Sequence, residues 1–453
     1  MEYVAQTYQD HTRAIWKLGT PLILSNLAMF AIHITDTIML GWYDVTALAA
    51  STIAGTMFFI VFIVGAGFAQ AVTPMVAAAA EEDDERQVRR VTRMGLWLSL
   101  FYGAAVTLPF FWAEDILIAI GQDPDVAALA HLYLQIVIWQ MIPALIVMTM
   151  KSFLAALEHT AIILWATIGG AIVNVFVNYA LIFGNWGAPE LGIEGAAIAS
   201  LTVNLVTVAI LIGYTLWKLP QFELFRNFWR SDRDILASVY RLGWPIGLTS
   251  LAEGGLFSAS AVMMGWIGAL ELAAHGIAIQ LASMAFMVHI GFSQAATVRA
   301  GRALGRRDEM SLRKGGATAM TMSALYAVVT SALFLVFPDV LVGLFVDPTD
   351  PDRDALVRIG ASFVIVAALF QLVDGLQVMA LGLLRGVQDT AVPMVIATIS
   401  YWVIGMPVSY MLAFTFGLGG VGLWLGLVVG LAFAGALLSW RFWSRSVRIA
   451  AHA

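Results

Sequence analysis

The sequence predicts an all-α polytopic membrane protein: twelve transmembrane helices in two six-helix bundles, related by a pseudo-two-fold axis along the membrane normal. Three observations predict it. Of 453 residues, 60% are hydrophobic and only 12% charged, with a mean hydropathy of +0.85, a balance foreign to soluble domains. The apolar residues fall in runs that reach the roughly 20 positions needed to cross the hydrocarbon layer. Motifs of the first half return in the second at one fixed spacing, the mark of a duplicated architecture.

The runs lie near residues 16–41, 46–76, 92–113, 127–150, 160–183, 192–217, 241–266, 271–298, 316–337, 356–384, 391–416 and 420–443. Their length and continuity indicate helices rather than a barrel. Glu2, Asp10, Arg13 and Lys17 precede the first run without a basic leader and a small-residue cleavage site, so that span is expected to remain in the protein. Charge then orients the spans. One set of loops carries Arg13 and Lys17, Arg86 to Arg93, Lys151, Lys218 to Arg241, Arg299 to Lys314, Arg385, and Arg441 to Arg448. Of the 24 Lys and Arg, only Arg353 and Arg358 fall on the other side, which puts both termini in the cytoplasm by the positive-inside rule. The opposite loops hold Asp44, Glu114, Asp115, Asp123, Asp125, Glu190, Glu271, Asp347, Asp350 and Asp352. In this assignment no Lys or Arg lies inside a span away from its ends.

The duplication has a clear register. "WKLGTP" at Trp16 recurs as "YRLGWP" at Tyr240, "LGW" at Leu40 resembles "MGW" at Met264, and "GFAQAVT" at Gly67 recurs as "GFSQAAT" at Gly291, all at the same offset. Asp84-Glu85, Arg89, Tyr102 and Asp123-Pro124 continue the register against Asp308-Glu309, Arg313, Tyr326 and Asp347-Pro348. Six spans per copy give both copies the same orientation, hence an axis along the membrane normal. The expected domains are residues 1–217, a basic and polar linker at 218–240, and residues 241–453. Paired bundles of this kind suit a transporter with a site that opens alternately to each side.

Three carboxylates stand within spans, away from their ends: Asp36 in span 1, Glu253 in span 7 and Asp374 in span 10. On insertion scales each costs roughly 2.5–3.5 kcal/mol at the bilayer centre, which marks such acids as functional by default. With no intramembrane Lys or Arg to pair with, they call for a proton, a metal cation or a cationic solute. The duplication did not supply them as a symmetric pair. Asp36 corresponds to Ser260, Glu253 to Met29, and Asp374 to Ala144 after a six-residue insertion near Pro351. Asn174 and Asn178 of "NVFVN" share one face of span 5, Thr202 and Asn204 lie in span 6, and Gln371 precedes Asp374 by one turn. Such oxygens suit a hard cation such as Na⁺ and equally a hydrogen-bonded proton; polar contacts between helices are the plainer reading of the two Asn.

Together, "TDTIMLG" after "LGTP", "NVFVN", "LAEGG", and "VDGLQ" with "GLLRGVQDT" resemble the multidrug and toxic compound extrusion (MATE) family over essentially the whole chain, with acid positions similar to its NorM-type branch. The resemblance implies two lobes in a V-shaped arrangement around a central cleft. It also implies export of small hydrophobic organic cations by antiport with Na⁺ or H⁺, in a bacterial inner membrane, by a monomer surrounded by lipid. Carried over residue by residue, it makes Asp36, Asn174, Asn178 and Thr202 a first-lobe ion or proton site. Glu253 and Asp374 become a second-lobe cation site with Na⁺ as the metal; Gln371, by its spacing on the face of Asp374, is the supporting ligand expected beside them. Phe370 departs from relatives that carry Tyr one turn before the span-10 acid, so a hydroxyl ligand is lost and sodium is less favoured.

Other function classes have weaker support. The absence of Cys excludes disulfides and thiolate metal sites. His33, His131, His275 and His289 are scattered without ligand spacing, so no catalytic residues and no cofactor are expected. The "EEDDERQVRR" stretch from Glu81 reads as a solvated turn, and nothing points to nucleic acid. An exporter or flippase of lipid-linked or other amphiphiles, built on a related repeat, is the alternative. It would call for cations near its site to meet phosphate, and the predicted spans contain none.

Overall fold

Inside a bilayer every backbone N–H and C=O must find its partner within the segment, so long apolar runs become helices. The computed structural model describes residues 6–119, 121–349 and 351–449; Glu2 and Asp350 of the sequence analysis lie outside the described residues. Twelve helices there are long and apolar enough to cross a membrane. They are α1 (Tyr8–Tyr43), α2 (Val45–Glu81), α3 (Glu85–Ala119), α4 (Pro124–Ala156), α5 (Thr160–Phe183), α6 (Ile193–Lys218), α7 (Arg233–Ile267), α8 (Ala269–Gly305), α9 (Glu309–Val336), α10 (Arg353–Gly386), α11 (Ala391–Thr415) and α12 (Gly419–Ser446). The described residues form no strand.

Several helices run past the apolar windows. α1 begins at Tyr8 and α7 at Arg233, while α4 continues to Ala156 and α10 to Gly386. Lys151 and Arg385, which hydropathy assigned to loops, therefore sit inside helices, a correction to the expectation that the spans hold no cation. Carboxylates cap the starts: Asp44 accepts from Ala47 N, Asp84 from Gln87 N and Asp308 from Ser311 N, each satisfying an orphan amide of a first turn. α11 is not α-helical throughout; it contains π-helical turns at Ile399–Gly405 and Met411–Thr415.

The chain divides into two compact units, an amino unit of Leu24–Gly247 and a carboxy unit of Met1–Ile23 with Leu248–Ala453. These bounds differ from the expected division at a linker: both cuts fall within helices, α1 and α7, and each lies just beyond a proline, Pro21 or Pro245. Packing explains the division. In the amino unit a Cβ on Gly67 of α2 would run into Gly247 N and stand 2.5 Å from Gly243 O, both on α7. In the carboxy unit a Cβ on Gly291 of α8 would stand 2.8 Å from Ile23 N of α1. Gly67 and Gly291 are duplicate positions, as are Gly247 and Ile23, so the sequence repeat is also a repeat of contacts. The surrounding rings follow the same register. Phe68 stacks on Tyr240 at 5.4 Å and meets Tyr102 edge-on at 5.6 Å; Phe292 stacks on Trp16 at 5.8 Å and meets Tyr326 edge-on at 6.5 Å.

The expected linker is shorter than 218–240, because α6 extends to Lys218 and α7 begins at Arg233. The remaining segment is docked on α3. Arg89 pairs with Glu223 at 2.8 Å and Arg90 with Asp232 at 2.5 Å, Arg93 donates to Asn227 O, and the Trp97 indole donates to Phe228 O. The hydrogen bond from Arg90 holds the Asp232 carboxyl below the usual carboxylate range.

Candidate functional site

The amino unit builds its site from α1 and α5. Asn174 and Asn178 are one turn apart on α5 and fully buried. Both amides donate to the same oxygen, Asp36 Oδ1, at 2.8 and 2.6 Å. Spending both donors on the carboxylate leaves Asn174 Oδ1 and Asn178 Oδ1 buried without a partner, and an unmet buried acceptor costs about 1–3 kcal/mol. Polar contact between helices accounts for the two bonds but not for the two idle carbonyls. Thr202 does not join this group: its hydroxyl donates to Ile198 O of its own helix, and the Asn204 amide donates to Ser200 O. Tyr133 of α4, which sequence reasoning missed, lies within electrostatic reach of Asp36 and near Ser200.

The carboxy unit builds its site from α7, α10 and α11. Asp374 and Gln371 share a buried face of α10 with Gln377. Asp374 lies within electrostatic reach of Glu253 on α7, so the two predicted acids are neighbours. Gln377 lies within reach of Glu253 and donates to the Tyr401 hydroxyl at 2.6 Å. Tyr401 is fully buried and sits in the π-helical turn of α11; such turns re-aim side chains and gather at functional sites. The next residue, Trp402, donates its indole N–H to Ala252 O, beside Glu253. Glu253 Oε1, Asp374 Oδ1, Gln371 Oε1 and Gln377 Oε1 are buried without hydrogen-bond partners. Gln371 itself makes one long contact, 3.4 Å to Ala282 O. Arg385, near the end of α10, lies within electrostatic reach of Glu253 and Tyr401.

Idle buried oxygens on carboxylates and amides, beside the Tyr401 phenol, form a donor set that a proton or a hard monovalent cation satisfies and an apolar ligand does not. The ring at Phe370 packs edge-on against Phe257 and Trp424, so the missing hydroxyl of that position is not replaced there; Tyr401 brings one from α11 instead. Gln377 was legible in principle, three residues beyond Asp374 on the same face, whereas Tyr401 carried no sequence signal apart from being polar within an apolar run. His33 lies within electrostatic reach of Asp36, and His289 packs against Gly375 beside Asp374. His289 bonds Ser323 at 2.8 Å and His275 packs on Trp424; no cluster of three His, Asp or Glu able to hold a metal occurs among the described residues.

The MatE family model matches the chain twice, at residues 21–180 and 245–411, two copies that start at Pro21 and Pro245, duplicate positions of the repeat. Curated relatives include the "Probable multidrug resistance protein NorM" of Rhizobium meliloti (strain 1021), 46% identical over 98% of this chain and 96% of that protein. The "Multidrug resistance protein NorM" of Burkholderia vietnamiensis is 35% identical over 94% of this chain and 92% of its own. Among solved structures, a MATE protein in complex with MaL6 superposes with a TM-score of 0.88 at 19% identity, covering 99% of each chain. The eukaryotic MATE transporter AtDTX14 gives 0.85 at 20% identity over 97% of this chain and 99% of that one. With the family model matched in both halves and close relatives matched over nearly their full length, the chain belongs to the MATE family of transporters.

Proposed function

We propose that the protein is a secondary active multidrug efflux transporter that exports small hydrophobic organic cations by antiport with Na⁺ or H⁺ through alternating access. The observation that carries this reading is the set of idle buried oxygens around Asp36, Glu253 and Asp374. Two acid sites with unmet acceptors fit positively charged cargo. The coupling ion and the organic cation then compete for the same negative charge: ion arrival neutralises the carboxylates and releases the drug, and ion release resets them. The membrane potential adds about 2.3 kcal/mol per charge per 100 mV to inward movement of the ion. Relatives named as multidrug resistance proteins support the substrate class. The positive-inside distribution supports a bacterial inner membrane location with both termini cytoplasmic, and a site complete within each unit supports function as a monomer.

The test is ethidium efflux from proteoliposomes under an imposed Na⁺ gradient or an imposed pH gradient, with wild type, Asp36→Asn and Glu253→Gln. Efflux driven by one gradient and lost in the variants supports antiport and names the ion. Efflux indifferent to both gradients and to both acids overturns the reading.

A further inference from the structure

The duplication assigns the carboxy-unit acid site a counterpart in the amino unit. Glu253 corresponds to Met29 on α1, while Asp374 and Gln377, beyond the insertion near Pro351, correspond to Ala144 and Val147 on α4. All three counterparts are apolar, so the acid chemistry is absent there. Lys151 stands in its place. Ala144, Val147 and Lys151 recur at steps of three and four residues and share one face of α4. On a helix that is buried on most sides, this face keeps Ala144 at 8% and Val147 at 7% exposure, with Lys151 more open. The Lys151 ammonium lies 3.2 Å from the sulfur of Met29, the counterpart of Glu253 itself.

A thioether is a weak acceptor, and Lys151 forms no ion pair among the described residues. Nor is it a lysine reaching for the membrane surface. α4 continues five residues beyond it to Ala156, a helical side chain leans toward its own N-terminus, and Met29 lies well inside α1. The Lys151 position itself corresponds to Leu381, so the ammonium is no relic of the duplication; its side chain reaches the counterpart of Glu253 from the neighbouring helix.

We infer that Lys151, with Met29 beside it, forms an anion subsite in the amino unit that takes the carboxylate of a transported zwitterionic solute. The proposal rests on the efflux reading above and names the residue that would receive the acid group of a solute carrying both charges. A lysine suits promiscuous capture, being a point charge on a flexible stem where arginine imposes a planar fork. Met29 is 46% exposed and supplies an adaptable apolar surface for the body of such a solute.

A matched dye pair tests this: rhodamine B, a zwitterion with a free carboxylate, and its ethyl ester, which keeps the cation and caps the acid. Binding of each dye to the purified protein in detergent is read by fluorescence polarisation, and gradient-driven transport is read in proteoliposomes, for wild type, K151Q and K151R. The expected result is that K151Q weakens rhodamine B binding by about 10-fold or more, as loss of a partner to a desolvated charge does. The ester should change by less than about 2-fold, and K151R should recover most of the loss. Ester binding also shows that the variant is folded. Equal effects on both dyes, or none, overturn the proposal. Equal effects that appear only in vesicles containing phosphatidylglycerol, and vanish in phosphatidylcholine alone, assign Lys151 to a lipid phosphate and overturn it too. If wild type transports neither dye, the efflux reading fails while the binding comparison still decides the subsite.

Discussion

Gly67 and Gly55 lie on the same helix, α2, and should respond to alanine in opposite directions. A Cβ on Gly67 would collide with three backbone atoms of α7, Gly247 N, Gly243 O at 2.5 Å and Gly247 Cα at 2.6 Å, whereas nothing lies within 4 Å of a Cβ on Gly55. Backbone atoms cannot swing aside as a side chain can, so G67A must push α2 and α7 apart by about 1 Å, which forfeits a quarter to a half of the dispersion at each affected contact. Overpacking of this kind costs about 1–3 kcal/mol, and the rigid neighbours place G67A at the upper end. Alanine returns roughly 0.5–1 kcal/mol of backbone entropy at either position. The net expectation is a loss of about 2 kcal/mol for G67A, a small gain for G55A, and so a gap of about 3 kcal/mol. Reversible unfolding by SDS in mixed micelles measures it, with G291A, the duplicate of G67A, expected to fall with G67A. If G67A unfolds with G55A at or above wild-type stability, the close approach of α2 and α7 is wrong, and with it the packing argument for the unit boundaries.

Further outcomes follow from the sites and the loop contacts. N174L and N178L each delete one hydrogen bond to the Asp36 carboxylate, worth about 1.5–3 kcal/mol for a charged acceptor; ethidium efflux in proteoliposomes should fall at least about tenfold in each, and undiminished efflux would remove the two Asn from the site. Because Arg90 lowers the Asp232 carboxyl, the pair stabilises the fold above the ordinary carboxylate range near pH 4 and loses that contribution as pH falls through the lowered folded value. D232N should therefore melt earlier than wild type at pH 7 and show a smaller decline on acidification, as read by thermal melts from pH 3 to 7. Asp389 receives two bonds from Arg441, at 2.7 and 3.1 Å, and one from the Ser446 hydroxyl at 2.7 Å. R441K should fail to restore the melting temperature lost in R441Q, since lysine cannot reproduce the planar fork.

The twelve spans were legible because bilayer thickness imposes a minimum run of apolar residues, and the duplication was legible because both copies keep the same interhelical contacts. Gly67, Gly291, Phe68 and Phe292 are conspicuous in the repeat for the same reason that they matter in the packing. Helix ends were not legible to better than several residues. Hydropathy stops at the first charge, while hydrogen bonding carries α4 past Lys151 and α10 past Arg385. The acids could be singled out one by one, and the pairing of Asp36 with Asn174 and Asn178 followed from helical spacing plus one contact between α1 and α5. Tyr401 could not be found, because its place at the Glu253 site depends on a π-helical turn that shifts the face α11 presents. Thr202 shows why a lone hydroxyl is hard to read: in an apolar helix it usually bonds the carbonyl four residues back, as it does here with Ile198.

The chain passes from one unit to the other inside α1 and again inside α7, and this has a consequence for biosynthesis. The amino unit contains nothing beyond Gly247 and can close as soon as the first part of α7 has emerged. The opening segment of α1, made first, belongs to a unit whose remaining residues, Leu248 onward, are made last. At about 5–20 residues per second, this segment waits on the order of 10–40 s in the membrane for its partners. Cutting the gene at the linker would leave the opening of α1 with the wrong half and remove the opening of α7 from the right one, so neither product would hold a complete unit. The two halves that the duplication created as equals are, during synthesis, no longer independent.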